Sequence, residues 1–273
     1  MNAATSPSAI RSLFFVPGDR ADMIAKIPRW MPDVAVVDLE DAVADVDKES
    51  ARRIAVTAIA DLQHPTVYLR VNAAASPWHT DDVAAAADAG IAGIVLPKLE
   101  RLADLDAVRR RDLPVLGGLE TARGVAEARL LCEQGGLVAA YFGAEDFITD
   151  MGGHRTTGSL EVLYARSQVC LAARLAGVPA IDQAVVAVHD DATFRADAEQ
   201  GRAMGYLGKV TLHPSQITLA HTVFTPSEQE IAHAQAVLTV EDGVGLVDGQ
   251  MVDDVHRKMA RQVLARWQGG ASR

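Results

Sequence analysis

The stretch Leu116-Gly-Gly-Leu-Glu-Thr-Ala-Arg-Gly124 begins with an apolar run typical of a β-strand and ends abruptly in an acidic residue near glycine. The same arrangement recurs one unit later in Tyr141-Phe-Gly-Ala-Glu-Asp146. A buried parallel strand has this pattern where it emerges at the functional rim of a sheet. The acids Glu120 and Asp146 are separated by enough chain for a helix and two loops, so we expect them on neighbouring strands.

Two carboxylates that converge at one rim, with no Cys or His beside them, form a hard oxygen site that suits Mg²⁺ better than zinc. Each acid could instead only cap the helix that follows it, as Asp and Glu commonly do in a first turn. The repetition at two successive strand ends favours a metal site at Glu120 and Asp146 over two separate helix caps.

Eight short apolar runs alternate with segments of helical period along the chain, which predicts parallel strands joined by right-handed crossovers. Eight such units close a (β/α)₈ TIM barrel of the α/β class. A doubly wound open sheet is the alternative, but its usual Gly-rich phosphate loop is replaced after the first strand by Val16-Pro-Gly-Asp-Arg20. The predicted strands are Ser12–Val16, Val34–Leu39, Thr66–Val71, Ala92–Leu96, Val115–Leu119, Val138–Phe142, Pro179–Val186 and Lys209–Leu212.

The pattern divides the chain into a disordered tail over residues 1–10, a barrel over 11–222 and a C-terminal helical arm or lid over 223–273. In the arm, Ser227 and Glu230 have the spacing of a capping box at the start of a helix that runs through Leu238. The Gly-rich stretch Asp242–Gly249 then indicates a turn or small hairpin before the last helix.

Composition limits the classes of partner. A net charge of −10 argues against a general affinity for nucleic acid, because no excess of Lys and Arg is present to displace counterions. The start of the chain does not have the pattern of a signal peptide, and no apolar run is long enough to span a membrane. Cys132 and Cys170 lie in helix-like apolar patterns and indicate buried thiols. These features predict a soluble cytoplasmic protein.

The strand ends that face the carboxyl side of the predicted barrel are almost all charged or polar. In such barrels the active site lies at this face, so the polar rim predicts a functional site there. The segments are Pro17-Gly-Asp-Arg20, Asp38-Leu-Glu-Asp41, Arg70-Val-Asn72, Pro97-Lys98, Glu120-Thr-Ala-Arg123, Gly143-Ala-Glu-Asp146, Asp182-Gln183 and His213-Pro-Ser-Gln216.

These rim motifs, together with Leu13-Phe-Phe-Val-Pro-Gly-Asp-Arg20 and Gly249-Gln-Met-Val-Asp253, resemble the citrate lyase β-subunit (CitE-like) family. That family is part of the HpcH/HpaI aldolase superfamily, which also includes malyl-CoA and citramalyl-CoA lyases. The resemblance covers nearly the whole chain and implies a (β/α)₈ barrel with a C-terminal arm, assembled as a homotrimer. The implied chemistry is cleavage or formation of a β-hydroxyacyl-CoA from an acyl-CoA and a keto acid.

The resemblance also implies roles for individual residues. Glu120 and Asp146 match the ligands of Mg²⁺, which polarises the keto acid's carbonyl. Arg70 matches the arginine that grips the keto acid or thioester oxygen, where its planar fork suits a carboxylate or enolate. Glu40 and Asp41 match acids behind the metal, where they order metal-bound water and orient Arg70.

Asp253 matches an acid that a neighbouring subunit's arm brings over the site, where a carboxylate could shuttle a proton. It could equally be the N-cap of the last helix. The candidates for contacts with coenzyme A phosphates are Arg20, Lys26 and Lys48.

Four functions fit this pattern. The leading one is a Mg²⁺-dependent carbon–carbon lyase that works alone on a thioester such as citryl-, citramalyl- or malyl-CoA. The second is the barrel subunit of a citrate lyase complex that acts on an acyl-carrier-protein thioester. The third is a non-catalytic barrel that binds coenzyme A, and the fourth is an aldolase for free keto acids. Val185–Asp191 and Gly152–Arg155 depart from the family pattern and leave the acyl group open.

Overall fold

A closed barrel of eight parallel strands forms the centre of the computed structural model, which describes residues 10–62, 66–240 and 243–271. The strands follow one another around the barrel in chain order, and the first pairs with the eighth. This confirms the predicted (β/α)₈ architecture. The strands are β1 Ser12–Pro17, β2 Val34–Asp38, β3 Val67–Arg70, β4 Gly93–Leu96, β5 Val115–Leu119, β6 Leu137–Phe142, β7 Ala180–Asp182 and β8 Gly208–Thr211.

Helices fill the connections and cover the outside of the barrel. They are α1 Ala21–Ile24, α2 Ile27–Trp30, α3 Lys48–Ala60, α4 His79–Asp88, α5 Asp106–Arg109, α6 Ala122–Ala126, α7 Ala128–Gln134, α8 Ala144–Asp150, α9 Leu160–Ala176, α10 Asp191–Met204, α11 Pro214–Phe224, α12 Glu228–Leu238 and α13 Asp254–Ala271. No helix within the described ranges is long and apolar enough to cross a membrane.

The packing explains why the strands are apolar throughout. Side chains that point into the barrel form one cluster, while side chains that point outward pack under the helices in a larger one. Strands buried on both faces need apolar residues at nearly every position. The inner cluster consists of Leu13, Val34, Val36, Val95, Leu116, Ala139, Tyr141, Ile181 and Val210.

Most predicted strand ends agree with the structure to within one residue, but β7 and the segment after β1 differ more. The strand predicted at Pro179–Val186 is only three residues long in β7. Beyond Asp182, the carbonyls of Gln183 and Val185 accept hydrogen bonds from the side chains of Lys209 at 2.8 Å and Gln216 at 3.1 Å. The segment Ala21–Pro28 has a helical period, which predicts one helix, but the structure has α1 and α2 there. Pro28 lacks an N–H to continue the first helix and lies in the first turn of the second.

The C-terminal arm has the predicted helix–hairpin–helix order. Ser227 and Glu230 form the capping box of α12, and the hairpin pairs β9 Gly245–Val247 with β10 Gln250–Val252. The division at residues 222 and 223 stays a prediction, and α11 runs across it to Phe224. Nine residues of the predicted tail, 1–9, lie outside the described part of the chain.

Candidate active site

A cavity of about 430 Å³ opens at the carboxyl ends of the barrel strands. Its wall combines apolar side chains with six of the acidic and basic residues of the predicted rim segments. The residues that matter for chemistry are Phe15, Asp38, Asp41, Arg70, Glu120, Tyr141, Asp146, Val186 and Leu212.

Glu120 lies directly after β5 and is 1% exposed. Its Oε1 accepts a hydrogen bond from the main-chain N–H of Lys98 at 2.7 Å. The other oxygen lies against Gly143, where an added Cβ would stand 2.1 Å from Oε2, so only glycine fits at that position. Burial, only partly offset by Arg70, raises the pKa of Glu120, and the charge of Asp146 raises it further.

Asp146 lies in the first turn of α8, immediately beyond β6, and its side chain is 32% exposed. Asp146 and Glu120 line the same cavity, so both predicted metal ligands lie at one mouth of the barrel. Lys98 Nζ lies 3.3 Å from Asp146 Oδ1. The two predicted ligands are therefore linked to each other by contacts of a single lysine.

Arg70 ends β3 and is held by Asp38 at the end of β2, its partner in the strand register. Arg70 Nε donates to Asp38 Oδ1 at 2.7 Å and Nη2 donates to Oδ2 at 2.6 Å. Burial opposes the charged form but is outweighed by Asp38, so the pKa of Arg70 lies well above its ordinary value. The guanidinium also lies over the Phe15 ring, 5.0 Å from its centroid. Arg70 is thus fixed in orientation and permanently charged.

Glu40 and Asp41 follow β2 and face the same two cations. Glu40 Oε2 lies 3.0 Å from Arg70 Nη1, and Glu40 Oε1 accepts from Lys98 Nζ at 2.5 Å. Burial, with smaller effects from neighbouring charges, raises the pKa of Glu40 to about 8. Asp41 is more exposed than Glu40. Burial raises its pKa, but Arg70 and Lys98 lower it by more, so the net shift is downward. The pKa values of the two adjacent acids are therefore shifted in opposite directions.

Lys98 has a role that the sequence analysis did not assign, although it belongs to one of the rim segments. Its φ is 48°, in the left-handed region, which costs a residue with a Cβ on the order of 1–2 kcal/mol. This conformation accompanies the Lys98 main-chain N–H contact with Glu120, while its ammonium contacts Glu40, Asp41 and Asp146.

Tyr141 also lines the cavity and was not among the predicted site residues. Its ring points into the barrel beside Gly118, where an added Cβ would meet the phenol oxygen at 2.5 Å. Burial and the charge of Glu120 raise the pKa of Tyr141 well above its ordinary value, so the phenol stays protonated. An aromatic residue inside an apolar strand gave no sequence signal of such a position.

The charge balance of this cluster fits a divalent cation. Five carboxylates surround Arg70 and Lys98, namely Asp38, Glu40, Asp41, Glu120 and Asp146. Five carboxyl groups therefore face only two cationic side chains, and a divalent cation would offset part of this imbalance. No group of three or more His, Cys, Asp or Glu side chains within the described residues is arranged to hold a metal. Glu120 and Asp146 together match the one or two carboxylates that Mg²⁺ uses while keeping water or substrate oxygens.

A comparison with family models matches residues 11–214 to HpcH_HpaI, described as HpcH/HpaI aldolase/citrate lyase. The chain belongs to this family. The match spans every strand of the barrel and every cavity residue named above. The predicted resemblance is confirmed, and with it the lyase class of the enzyme.

Relatives within the HpcH/HpaI family match over nearly their full length. The chain is 48% identical to a citrate lyase subunit beta-like protein of Deinococcus radiodurans, over 97% of this chain and 99% of the other. It is 35% identical to a (3S)-malyl-CoA thioesterase of Cereibacter sphaeroides, with 94% of both chains covered.

Among solved structures, CitE of Mycobacterium tuberculosis in complex with magnesium, acetoacetate and coenzyme A superposes with a TM-score of 0.87. The two sequences are 30% identical, and the match covers 96% of this chain and 100% of CitE. This superposition confirms the fold and shows that this member of the HpcH/HpaI family is of the CitE-like type.

The basic residues predicted to bind coenzyme A phosphates lie in two different environments. Arg20 and Lys26 are exposed beyond β1 and both contact Asp22, at 2.9 Å and 3.4 Å. Lys48 is only 5% exposed, and its ammonium donates to the carbonyls of Leu39 at 2.9 Å and Glu40 at 2.7 Å. This geometry is at odds with a phosphate contact by Lys48, because the ammonium already holds the loop after β2.

Asp253 precedes α13 and caps it within its own chain. Its Oδ1 accepts from the main-chain N–H of Val255 at 2.9 Å and lies 2.7 Å from His256 Nδ1. The hydrogen bond with His256 and the exposed N–H groups lower the pKa of Asp253. The described residues that line the cavity of one chain do not include Asp253. Within one chain, the structure therefore gives Asp253 the position of a helix cap outside the cavity.

Proposed function

We propose that this chain is a Mg²⁺-dependent carbon–carbon lyase that cleaves or forms a β-hydroxyacyl-CoA such as citryl-, citramalyl- or malyl-CoA. The products of cleavage would be an acyl-CoA and a keto acid. One observation carries the proposal: Glu120 and Asp146 meet at a cavity whose carboxylates outnumber its cations and in which Arg70 is held rigidly. The match to CitE, whose structure contains magnesium, acetoacetate and coenzyme A, supports it.

Glu120 and Asp146 would hold the magnesium ion, which when bound supplies Lewis-acid polarisation of a carbonyl oxygen. Arg70 is oriented by two hydrogen bonds to Asp38 and would bind the carboxylate or enolate oxygen of the substrate. Its fixed position removes the entropy cost of ordering the guanidinium during the reaction.

Glu40 would hold a proton at its carboxyl group near neutral pH, since its pKa is raised to about 8. Together with ionised Asp41 it would orient the Arg70 and Lys98 side chains from behind the cavity. Phe15, Val186 and Leu212 contribute the apolar part of the wall and would limit the access of water to the reacting atoms.

The proposal includes a homotrimer in which Asp253 of one arm lies over the cavity of the next subunit and moves a proton at the substrate. Apolar side chains exposed on α9 and on the arm hairpin support an assembly of this kind. They include Leu160, Tyr164, Leu171, Leu175, Leu246 and Met251. Arg20 and Lys26 would contact the phosphates of coenzyme A.

The test is turnover of citryl-, citramalyl- and malyl-CoA by the purified protein in the presence of Mg²⁺. Glu120→Ala and Asp146→Ala should each abolish turnover while the protein stays folded, because each removes half of the metal-binding pair. Asp106→Ala, which removes an exposed acid on α5, should retain wild-type activity. Full activity in either site variant would exclude that residue from the site. Turnover only with an acyl-carrier-protein thioester would favour a subunit of a citrate lyase complex.

A further inference from the structure

We propose that Lys98 is a positioning residue that serves as an exchangeable internal cation: it neutralises the acid cluster until a divalent ion binds, and the ion then displaces its ammonium from Asp146. This inference rests on the proposed function, because it concerns the same two carboxylates. It goes further in naming a residue of the chain that competes with the metal and thereby sets its affinity.

The contacts of Lys98 are the first support. Its main-chain N–H binds Glu120 Oε1 at 2.7 Å, and its ammonium lies 3.3 Å from Asp146 Oδ1. A single residue therefore touches both carboxylates that would hold the ion. A divalent ion bound between them would face the ammonium across Asp146, and two like charges in a partly desolvated cavity repel strongly.

The difference between the two cations of the cluster is the second support. Arg70 is 9% exposed and bound through two hydrogen bonds to Asp38, so it has no freedom to leave. The Lys98 side chain is 30% exposed and ends in an ammonium on a flexible stem. Its contacts with Glu40 and Asp41 offer places to which the ammonium can shift when Asp146 is taken by the ion.

The backbone of Lys98 is the third support. The left-handed conformation at φ 48° accompanies an N–H that fixes one oxygen of Glu120. That hydrogen bond does not depend on the side chain. Replacement of the side chain should thus remove the competing charge and leave the orientation of Glu120 unchanged, which makes the side chain's effect on metal binding measurable by itself.

The experiment measures the affinity of the full-length protein for Mn²⁺ without substrate, by calorimetry and by electron paramagnetic resonance. Lys98→Met should bind Mn²⁺ at least about tenfold more tightly than the wild type, because a positive charge next to the ion is removed. Lys98→Arg keeps the charge and should stay within about threefold of the wild type. Lys258→Met removes the same charge from an exposed position on α13 and should leave the affinity unchanged.

Unchanged or weaker binding by Lys98→Met, with a wild type that binds Mn²⁺ through Glu120, would overturn the inference and leave the proposed function intact. Absence of binding in both proteins would overturn both. Binding by Lys98→Met with none in the wild type would support the inference in its strongest form.

A second measurement uses the wild-type protein, so that it does not depend on the folding of a variant. Reductive methylation with formaldehyde, followed by mass spectrometry, reports how accessible each lysine amine is. Saturating Mg²⁺ should increase labelling of Lys98 severalfold. Lys48 is the matched control, because its ammonium binds two backbone carbonyls and the Trp78 ring, contacts no carboxylate of the cluster, and should be labelled equally with and without Mg²⁺. Equal labelling of Lys98 in both conditions would contradict the displacement.

Discussion

The Asp38–Arg70 pair both stabilises the fold and orients the guanidinium. Replacement of Asp38 by Asn should separate these two effects. The two side chains share two hydrogen bonds of 2.7 Å and 2.6 Å, and Asp38 is 2% exposed. Asn keeps the shape of the side chain but loses the charge, and its amide group would oppose one Arg70 donor. Arg70 would then be free to rotate toward Glu40, which lies 3.0 Å from its Nη1.

The magnitude follows from the burial of the pair. Loss of one partner of a buried ion pair costs about 3–5 kcal/mol, and the low end applies because Glu40 still compensates the guanidinium. A stability of about 5–15 kcal/mol is typical of folded proteins, so the variant should stay folded at 25 °C. For catalysis, a displacement of roughly 1 Å at a reacting group can cost about a hundredfold in rate. We therefore expect kcat/KM to fall at least that far.

The assay combines urea denaturation with thioester cleavage, and the chain supplies a matched control at the opposite end of the strands. Asp33 binds Arg11 through two side-chain hydrogen bonds of 2.9 Å each, ahead of β2 and β1. Asp33→Asn should lose a similar amount of stability and keep wild-type kcat/KM. If Asp38→Asn also kept kcat/KM within twofold while losing stability, Asp38 would be only structural and the assigned orientation of Arg70 would be wrong.

Two further predictions concern Glu40 and the arm. Without a divalent ion, stability should fall by a few kcal/mol between pH 5 and pH 9, because Glu40 has a pKa raised to about 8 and its favoured protonated form is lost as the pH rises through that value. Glu40→Gln should flatten this dependence in urea denaturation, and an equally steep curve would contradict the raised pKa. If Asp253 acts across a subunit boundary, mixing Asp253→Ala with Arg70→Lys should restore part of the turnover that each lacks alone. Failure to restore turnover would favour action within one subunit.

The barrel could be predicted from sequence because its determinants are local. Apolar runs that alternate with helical segments specify parallel strands, and the rim position follows from where each run ends. This reasoning also placed Glu120 and Asp146 at one cavity, since each directly follows a strand or starts the next helix. The length of β7 could not be predicted in this way, because an apolar run alone does not reveal that the Gln216 side chain donates a hydrogen bond to the Val185 carbonyl.

The partners within the site could not be predicted in the same way. The Asp38–Arg70 pair depends on the register between β2 and β3, and the position of Lys98 depends on one backbone angle. Charge alone also misleads, as Lys48 shows: its sequence context suggested a phosphate contact, whereas the fold turns its ammonium inward to two carbonyls. Rotamer, register and backbone conformation decide these contacts, and a one-dimensional pattern does not contain them.

The distribution of charge in the cluster links its stability to its chemistry. Buried carboxylates that repel one another favour protonation or unfolding unless cations stay close. Arg70 can meet this need permanently because its planar fork satisfies Asp38 and still faces Glu40. The second cation of the cluster, at position 98, has a different task, because it contacts Asp146, which the divalent ion would need. A lysine at the more exposed edge of the cluster provides charge without a fixed geometry, so the site can stay folded before the metal binds and still yield Asp146 to it.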